Sequence, residues 1–170
     1  MILKLFCILV LVAVDRILKR FMTGFLSGNV TRPLIPGIVQ LSYTENTGAA
    51  FGLFRGSTFL LVIVTSVLIL ALLYLIVSKM LTSKLINAAI ILITAGGIGN
   101  LYDRIVSGYV VDYFDFTFMN YAIFNFADVL INIGALTLFI GLLLLKDDAV
   151  FKKRRRETVL SGKADKDSGE

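Results

Sequence analysis

Four long apolar stretches restrict what this chain can fold into more than any other feature of its sequence. They cover Ile2 to about Leu18, Thr58–Val77, Leu85–Tyr102 and about Phe126–Leu145. Each is near the roughly 17–25 residues that cross a bilayer as an α-helix. With 57% hydrophobic and 17% charged residues, the chain is too apolar for an ordinary soluble domain. Because the stretches lack the alternating strands of a membrane barrel, we predict an all-α membrane protein with four transmembrane helices.

The first stretch also has features of a cleaved signal peptide, since Ile2–Val14 is apolar and carries Lys4 near its start. No A-x-A-like cleavage site follows it, and apolar residues continue at helical spacing as far as Leu26. We therefore expect this segment to remain as the first span. Its helix should continue far enough to place Asp15 and Lys19 on one face.

The distribution of Lys and Arg predicts the orientation, because positive residues near the span ends are retained in the cytoplasm. Six of them lie in residues 146–157, which places the C-terminus inside. Four spans then place the N-terminus inside and residues 19–57 and 103–125 outside. We expect one four-helix domain over residues 1–147. Residues 148–170 should be a basic, disordered cytoplasmic tail that touches anionic lipid rather than nucleic acid.

The absence of histidine removes several catalytic mechanisms. Ser-His-Asp and Cys-His catalysis need an imidazole base, and zinc sites need several His or Cys ligands. This chain has no His and one cysteine, Cys7, which we interpret as a packing residue in the first span. Acid–base chemistry is left to carboxylates, lysine or tyrosine, and we expect no metal and no cofactor.

Polar side chains recur on one face at the start of the fourth span. Asn125, Asp128 and Asn132 lie at i, i+3 and i+7 of an otherwise apolar helix. An ionised Asp128 is costly there unless it has a partner or water. A structural interpretation is equally open, since Asp is favoured at a helix N-terminus and Asn forms hydrogen bonds between helices.

The end of the third span carries a matching polar face, formed by Asn100, Asp103 and Arg104. An ion-paired helix end explains Asp103 and Arg104, for which we expect a structural role. Gly96, Gly97 and Gly99 just before it permit close helix packing.

Beyond Gly108 the run YVVDYFDF is β-branched and aromatic, which predicts a short extended segment. Strict alternation would place Asp112 and Asp115 on opposite sides of it, so only one of them can easily face the helices. Upstream, Ile38–Thr44 also has strand character, and two prolines precede it. We predict a small sheet on the outer membrane surface. An ordinary hairpin turn is the simpler explanation for the glycines of the ENTGAAFGLF segment that follows it.

Two carboxylates held in a restricted space cannot both ionise freely, so one keeps a proton that the other lacks. Such a pair can activate water to hydrolyse an amide. A pair of membrane aspartates could equally mark a proton or ion pathway, although the middles of these spans are almost uncharged. A serine–lysine peptidase that uses Lys19 with Ser42 or Ser107 is a third possibility, and no spacing in the sequence favours it.

Four ordered motifs resemble those of the bacterial lipoprotein signal peptidase family, also called signal peptidase II. GNLYDRIVSGYVVDYFDF at residues 99–116 and FNFADVLINIG at residues 124–134 are similar to its two hallmark blocks. DRILK at Asp15–Lys19 resembles its D-x-x-x-K stretch, and ENTGAAFGLF at Glu45–Phe54 resembles its N-x-G-A-A-F motif. The resemblance covers about residues 1–147.

The resemblance implies an aspartic endopeptidase that cleaves diacylglyceryl-modified prolipoproteins just before the lipidated cysteine. It implies a bacterial inner-membrane location, an active site on the outer face, membrane lipids as surroundings and globomycin-type cyclic peptides as inhibitors. The matched catalytic positions are Asp112 and Asp128, and Asp115 is left out of the pair. The matched positions that line the site are Asn46, Asn100, Arg104 and Asn125, and those with supporting roles are Asp15, Lys19 and Asp103.

Overall fold

Four helices and a three-stranded sheet make up the described part of the chain. The computed structural model describes residues 1–28, 30–49, 54, 56–78, 80–119 and 121–144. The predicted tail at residues 148–170 and residues 50–53 of the ENTGAAFGLF motif lie outside them. The elements are α1 (Ile2–Phe25), β1 (Arg32–Ile35), β2 (Val39–Asn46), α2 (Thr58–Val77), α3 (Lys84–Ser107), β3 (Val110–Phe116) and α4 (Phe126–Leu144).

Three of these helices, α2, α3 and α4, are long and apolar enough to cross a membrane. Helix α1 is as long as α3, but five of its 24 residues are charged. Asp15 and Lys19, two of the five, are buried against the other helices, while Leu3, Leu9 and Ile17 are exposed on the outer surface of α1. The prediction of a membrane protein built of helices with a small sheet is confirmed. The apolar outer surface of α1 supports the prediction that this helix is also a span, which would bring the number of spans to four.

Helix α3 lies at the centre of the bundle and packs against the other three helices, most extensively against α4. Small residues allow the two helices to approach closely. A Cβ at Gly134 of α4 would lie 2.8 Å from the carbonyl oxygen of Ala89, and a Cβ at Gly96 of α3 would overlap the carbonyl oxygen of Ala127. The close packing expected from the small residues of α3 is therefore present.

Adjacent glycines of α3 provide a matched test of this packing. We expect Gly96→Ala to destabilise the protein by about 1–3 kcal/mol, because the new methyl group would press on the backbone of α4 and on Ile131. Gly97→Ala should cost less than about 1 kcal/mol or stabilise the helix, since its Cβ would meet only Ile69 at 3.4 Å. Unfolding by SDS in mixed micelles measures both. Equal losses from the two variants would contradict the packing described here.

The sheet has the strand order β1-β2-β3, and both pairs of strands are antiparallel. The predicted strand at Ile38–Thr44 is observed as β2, and the extended run after Gly108 is observed as β3. The sequence did not predict that these two segments pair with one another. Pro33 lies in the edge strand β1, where its lack of an N–H is tolerated.

Two features attach the sheet to the end of the bundle. Gly108 ends α3 with a left-handed backbone, φ 83°, which reverses the chain into β3. Tyr113 of β3 is fully buried and packs with Leu26 and Leu41, and its hydroxyl oxygen accepts a hydrogen bond of 3.2 Å from the backbone N–H of Phe126. The sheet is thus fixed directly above the first turn of α4.

Candidate active site

A cavity of about 520 Å³ lies where the end of α3, the start of α4 and the sheet meet. Apolar side chains from α2, α4 and the segment before α4 form much of its wall, including Leu61, Ile123 and Ile131. Its polar lining brings together most of the residues that the sequence motifs single out. These are Asn46, Asn100, Arg104, Asp112, Asp128 and Asn132.

Asp112 enters the cavity from strand β3 and is 2% exposed. One carboxylate oxygen, Oδ1, accepts a hydrogen bond of 2.6 Å from Asn125 Nδ2, and Oδ2 accepts one of 2.9 Å from Asn46 Nδ2. Asn46 can reach because Thr44 is the register partner of Asp112, which places residue 46 diagonally opposite on the same face. The pairing of β2 with β3 therefore positions this carboxyl group.

Asp115 has different partners, as the alternation along β3 predicts. Its Oδ2 accepts hydrogen bonds from Gln40 Nε2 at 2.7 Å and from Ser42 Oγ at 3.3 Å. It is not among the residues that line the cavity. The structure therefore separates the two aspartates in the way that strand alternation predicts.

Asp128 enters the cavity from the first turn of α4. It forms a capping box with Asn125: Asn125 Oδ1 accepts from the backbone N–H of Asp128 at 3.0 Å, and Asp128 Oδ2 accepts from the backbone N–H of Asn125 at 3.1 Å. Its other oxygen, Oδ1, accepts from Asn100 Nδ2 at 2.7 Å. Asp128 therefore does cap helix α4. The same hydrogen bonds hold its carboxylate in a fixed orientation at the cavity wall.

Asn125 links the two carboxyl groups. Its side-chain amide donates to Asp112 while its backbone N–H donates to Asp128, and the same amide lies 3.2 Å from Asn100 Oδ1. The side chain is fully buried. Both aspartates thus belong to one hydrogen-bonded cluster with three asparagine amides and no intervening cation.

The environment of Asp112 raises the pKa of its carboxyl group to about 6. Burial is the largest cause, because it disfavours the charged form, and the nearby negative charge of Asp128 adds to it. The hydrogen bonds from Asn46 and Asn125 and the charge of Lys19 oppose the shift without cancelling it. Asp112 therefore holds a proton at pH values where an ordinary aspartate has lost it.

This shift predicts a pH dependence of stability. The carboxyl group of Asp112 ionises near pH 3.8 in the unfolded chain and near 6 in the folded protein, so folding is favoured most below pH 3.8. Between pH 4 and 6 the free energy of unfolding should fall by roughly 2–3 kcal/mol on this account. SDS unfolding at pH 4.5 and pH 7 measures the fall, which Asp112→Asn should lack and Asp115→Asn should keep. If the free energy of unfolding of Asp112→Asn fell by the same amount, the pH dependence would have to come from another group.

A buried charge cluster lies behind the cavity, between α1 and α3. Lys19 Nζ lies 3.0 Å from Asp15 Oδ2, 2.8 Å from Asp103 Oδ2 and 2.8 Å from Asn100 Oδ1, to which it donates. Arg16 also forms an ion pair with Asp103. Two consecutive hydrogen bonds, from Lys19 to Asn100 and from Asn100 to Asp128, therefore connect α1 to the cavity.

Asp15 adds a second connection, because its Oδ1 accepts a hydrogen bond of 3.1 Å from the backbone N–H of Ala127. A carboxylate from α1 thus caps the first turn of α4. Asp15, Lys19 and Asp103 all lie next to the site, where the motif resemblance gave them supporting roles. Arg16 was missed by sequence reasoning, since nothing in the spacing of DRILK indicates that Asp103 takes a second cation.

Arg104 has a different structural role from the one expected of it. It does not pair with its neighbour Asp103 but donates from Nη2 to the carbonyl oxygen of Gly48 at 2.8 Å. Gly48 in turn donates its N–H to Asn46 Oδ1 at 2.9 Å. Arg104 thereby holds the loop after β2, and its guanidinium charge acts on both Asp112 and Asp128.

Comparison with known proteins gives a consistent result. The family described as Signal peptidase (SPase) II matches residues 7–144. A lipoprotein signal peptidase of Streptococcus thermophilus (strain CNRZ 1066) is 38% identical over 133 residues, 78% of this chain and 87% of that protein. One from Lactococcus lactis subsp. cremoris (strain SK11) is 34% identical over 145 residues, 85% of this chain and 96% of that protein.

The fold is shared with solved membrane enzymes. A structure described as a bacterial membrane enzyme, obtained by the in meso method at 2.3 Å resolution, aligns with a TM-score of 0.77 and 28% sequence identity. The alignment covers 91% of this chain and 93% of that one. A second, at 1.9 Å resolution, aligns with a TM-score of 0.75 over 84% of this chain.

Proposed function

Because this chain belongs to the signal peptidase II family of membrane peptidases, we propose that it is an aspartic endopeptidase of diacylglyceryl-modified prolipoproteins. It removes the signal peptide by cleaving just before the lipidated cysteine. One observation carries the catalytic assignment: Asp112 and Asp128 line the same cavity and share Asn125 as a hydrogen-bond donor.

The mechanism uses the two carboxyl groups in opposite protonation states. The ionised member takes a proton from a water molecule, whose oxygen attacks the scissile carbonyl carbon. The protonated member donates a hydrogen bond, and then its proton, toward the carbonyl oxygen. As the tetrahedral intermediate collapses, one hydroxyl group returns the donated proton to the carboxylate that gave it, the C–N bond breaks, and the amine leaves with a proton from the carboxyl group that took one from water. The raised pKa of Asp112 supports such a split of protons within the pair.

The asparagines and Arg104 act as positioning groups in this scheme. Asn46 and Asn125 fix the two oxygens of Asp112, and Asn100 fixes Asp128. These amides leave the carboxyl groups no freedom to rotate away from one another, which preserves the geometry that proton transfer needs. The guanidinium of Arg104 places a positive charge beside the pair, where it would stabilise the single negative charge that the two carboxyl groups keep through the reaction.

The position of the cavity suits a substrate that arrives within the membrane. It lies at one end of the apolar helices, and Leu61 of α2 and Ile131 of α4 line it. An apolar signal peptide and a diacylglyceryl group could approach between these helices without leaving the bilayer. In the orientation predicted by the charge distribution, both termini are cytoplasmic and the site faces the outside of the bacterial inner membrane.

The proposal is tested with purified full-length protein and a synthetic prolipoprotein, supplied with and without the diacylglyceryl group. We expect cleavage of the lipidated form only, no effect of EDTA or of serine-directed reagents, and inhibition by a globomycin-type cyclic peptide. Strong inhibition by EDTA would overturn the aspartic mechanism. Equal cleavage of the unlipidated form would overturn the substrate assignment while leaving the peptidase activity in place.

A further inference from the structure

The cavity extends from the two carboxyl groups toward the apolar part of the bundle, between α2 and α4. Both of these helices pack against α3, and they have little contact with one another in the part of the chain that the structure describes. This part of the cavity, which we call the lateral groove, is lined by Thr65, Gly97, Ile131 and Asn132. Because Gly97 has no side chain, the surface of α3 between the two helices stays open.

Two polar side chains line the lateral groove from different helices. Asn132 follows Asp128 on α4 by four residues, and Thr65 follows Leu61 on α2 by four. All four residues line the cavity, so the groove begins about 6 Å, one helical turn, beyond Asp128. Asn132 is the seventh residue of α4 and Thr65 the eighth of α2. The two side chains therefore lie at a similar depth, about 10 Å from the starts of their helices.

Neither side chain forms a hydrogen bond with another of the described residues. The other asparagines of the cavity lining differ, since Asn46 donates to Asp112 and Asn100 donates to Asp128. Asn132 is exposed and Thr65 is half-buried. Lipid offers no hydrogen bonds to a polar side chain of a membrane span, so an amide without a partner is unfavourable there. A bond from Asn132 to a neighbouring helix, the structural interpretation of its sequence position, is not observed among these residues.

A substrate that is cleaved within the membrane would bring the missing partners, and this step rests on the proposed function. Water can attack a peptide carbonyl only where the chain has left the helical conformation. The N–H and C=O groups beside the scissile bond then lose their intrahelical hydrogen bonds in apolar surroundings, where each needs a new partner. A side-chain amide can accept from an N–H and donate to a C=O, and a hydroxyl group can do the same.

We propose that Asn132 and Thr65 bind the main chain of the signal peptide just before the scissile bond. The lateral groove lies deeper in the apolar bundle than Asp128, and the signal peptide is the part of the substrate that stays in the bilayer. Hydrogen bonds to its main chain would fix which peptide bond lies between the two carboxyl groups. They would do so without requiring particular side chains in the substrate.

Steady-state cleavage of a lipidated synthetic prolipoprotein by the purified full-length protein tests the proposal. We expect Asn132→Leu and Thr65→Val each to raise KM about threefold to tenfold, the contribution of one hydrogen bond, and to change kcat less than about twofold. Asn132→Gln keeps the amide and should recover part of the loss seen in Asn132→Leu.

Thr137→Val is the matched control, because it removes a hydroxyl group of α4 that bonds to the carbonyl oxygen of Ile133 and lies outside the cavity lining. Its KM should equal that of the wild-type protein. SDS unfolding separates binding from a structural role. Asn132→Leu and Thr65→Val should be as stable as the wild-type protein, since neither side chain has a partner to lose, whereas a structural role would lower their stability.

Two altered substrates identify the group that is bound. In the first, an ester replaces the peptide linkage at each of the three residues before the scissile bond in turn, which removes an N–H and weakens a carbonyl acceptor. At one position it should raise KM several-fold for the wild-type protein and much less for Asn132→Leu or Thr65→Val. In the second, ethers replace the esters of the diacylglyceryl group, and the effect should be equal in all variants.

The inference is overturned if the wild-type protein cleaves the substrate and both variants keep its KM. It is also overturned if the loss in the variants follows the diacylglyceryl esters instead of the main chain. A wild-type protein that cleaves no lipidated substrate would refute the proposed function itself, and this inference with it.

Discussion

Asp112→Asn and Asp128→Asn are each expected to lower the rate of prolipoprotein cleavage at least about a thousandfold, the scale that acid–base catalysis contributes. An asparagine in either position keeps the size of the side chain but cannot exchange a proton with water or with the leaving amine. Single-turnover cleavage of a lipidated prolipoprotein by purified enzyme measures the loss. The amount of protein inserted in the membrane should not change, because each introduced amide oxygen can still accept one of the two hydrogen bonds made to the carboxylate.

Asp115→Asn is the matched control for this prediction. It makes the same substitution three residues from Asp112 on the same strand, at a carboxylate that is bonded to Gln40 and Ser42 instead of lining the cavity. Its activity should stay within about threefold of wild type. If Asp112→Asn or Asp128→Asn kept a tenth of wild-type activity, or if Asp115→Asn lost as much as they do, the catalytic pair would be wrongly assigned.

Lys19→Met is expected to cause the largest loss of stability among single substitutions, about 3–5 kcal/mol, the usual cost of breaking a buried ion pair. Lys19 is 1% exposed and lies between Asp15 and Asp103, so its removal would leave two buried carboxylates facing one another. Methionine retains most of the volume, which confines the effect to charge. SDS unfolding in mixed micelles measures the loss.

Lys84→Met removes the same charge from an exposed position at the start of α3 and should change stability by less than about 0.5 kcal/mol. Lys19→Met should also lose activity, because Asn100 loses the ammonium that orients it toward Asp128. A double variant, Lys19→Met with Asp15→Asn, should recover part of the stability by removing one unpaired charge. A Lys19→Met protein as stable as Lys84→Met would show that the cluster is not needed for folding.

Hydrophobicity alone predicted the ends of some helices better than the ends of others. Helix α2 has the predicted bounds of Thr58–Val77 because apolar residues lie on all of its sides, so hydrophobicity changes only at its ends. Helix α3 continues beyond the predicted Tyr102 to Ser107. Helix α1 continues past the apolar stretch that ends near Leu18, as its helical spacing predicted, and ends at Phe25. Beyond Leu18 and Tyr102 these helices carry charged residues, and Lys19 and Asp103 face one another inside the bundle, so local hydrophobicity does not show where each helix ends.

Prediction of the candidate site succeeded for contacts within one element and was incomplete for contacts between elements. Helical spacing placed Asn125, Asp128 and Asn132 on one face, and strand alternation separated Asp112 from Asp115. The bond from Arg104 to Gly48 could not be predicted from spacing, because it connects segments 56 residues apart. The register of β2 on β3, which brings Asn46 to Asp112, is a tertiary pairing of the same kind.

The two aspartates are supported by different parts of the fold: Asp112 by the three-stranded sheet, and Asp128 by a helix of the apolar bundle. The distance between their carboxyl groups is therefore set by the joint between sheet and bundle, where Asn125, Tyr113 and Arg104 cross from one part to the other. Bilayer thickness and lateral pressure act on the bundle and the interfacial layer differently, so a change in either could alter the geometry of this joint. We therefore expect the lipid composition of the membrane to affect the geometry of the proposed catalytic pair.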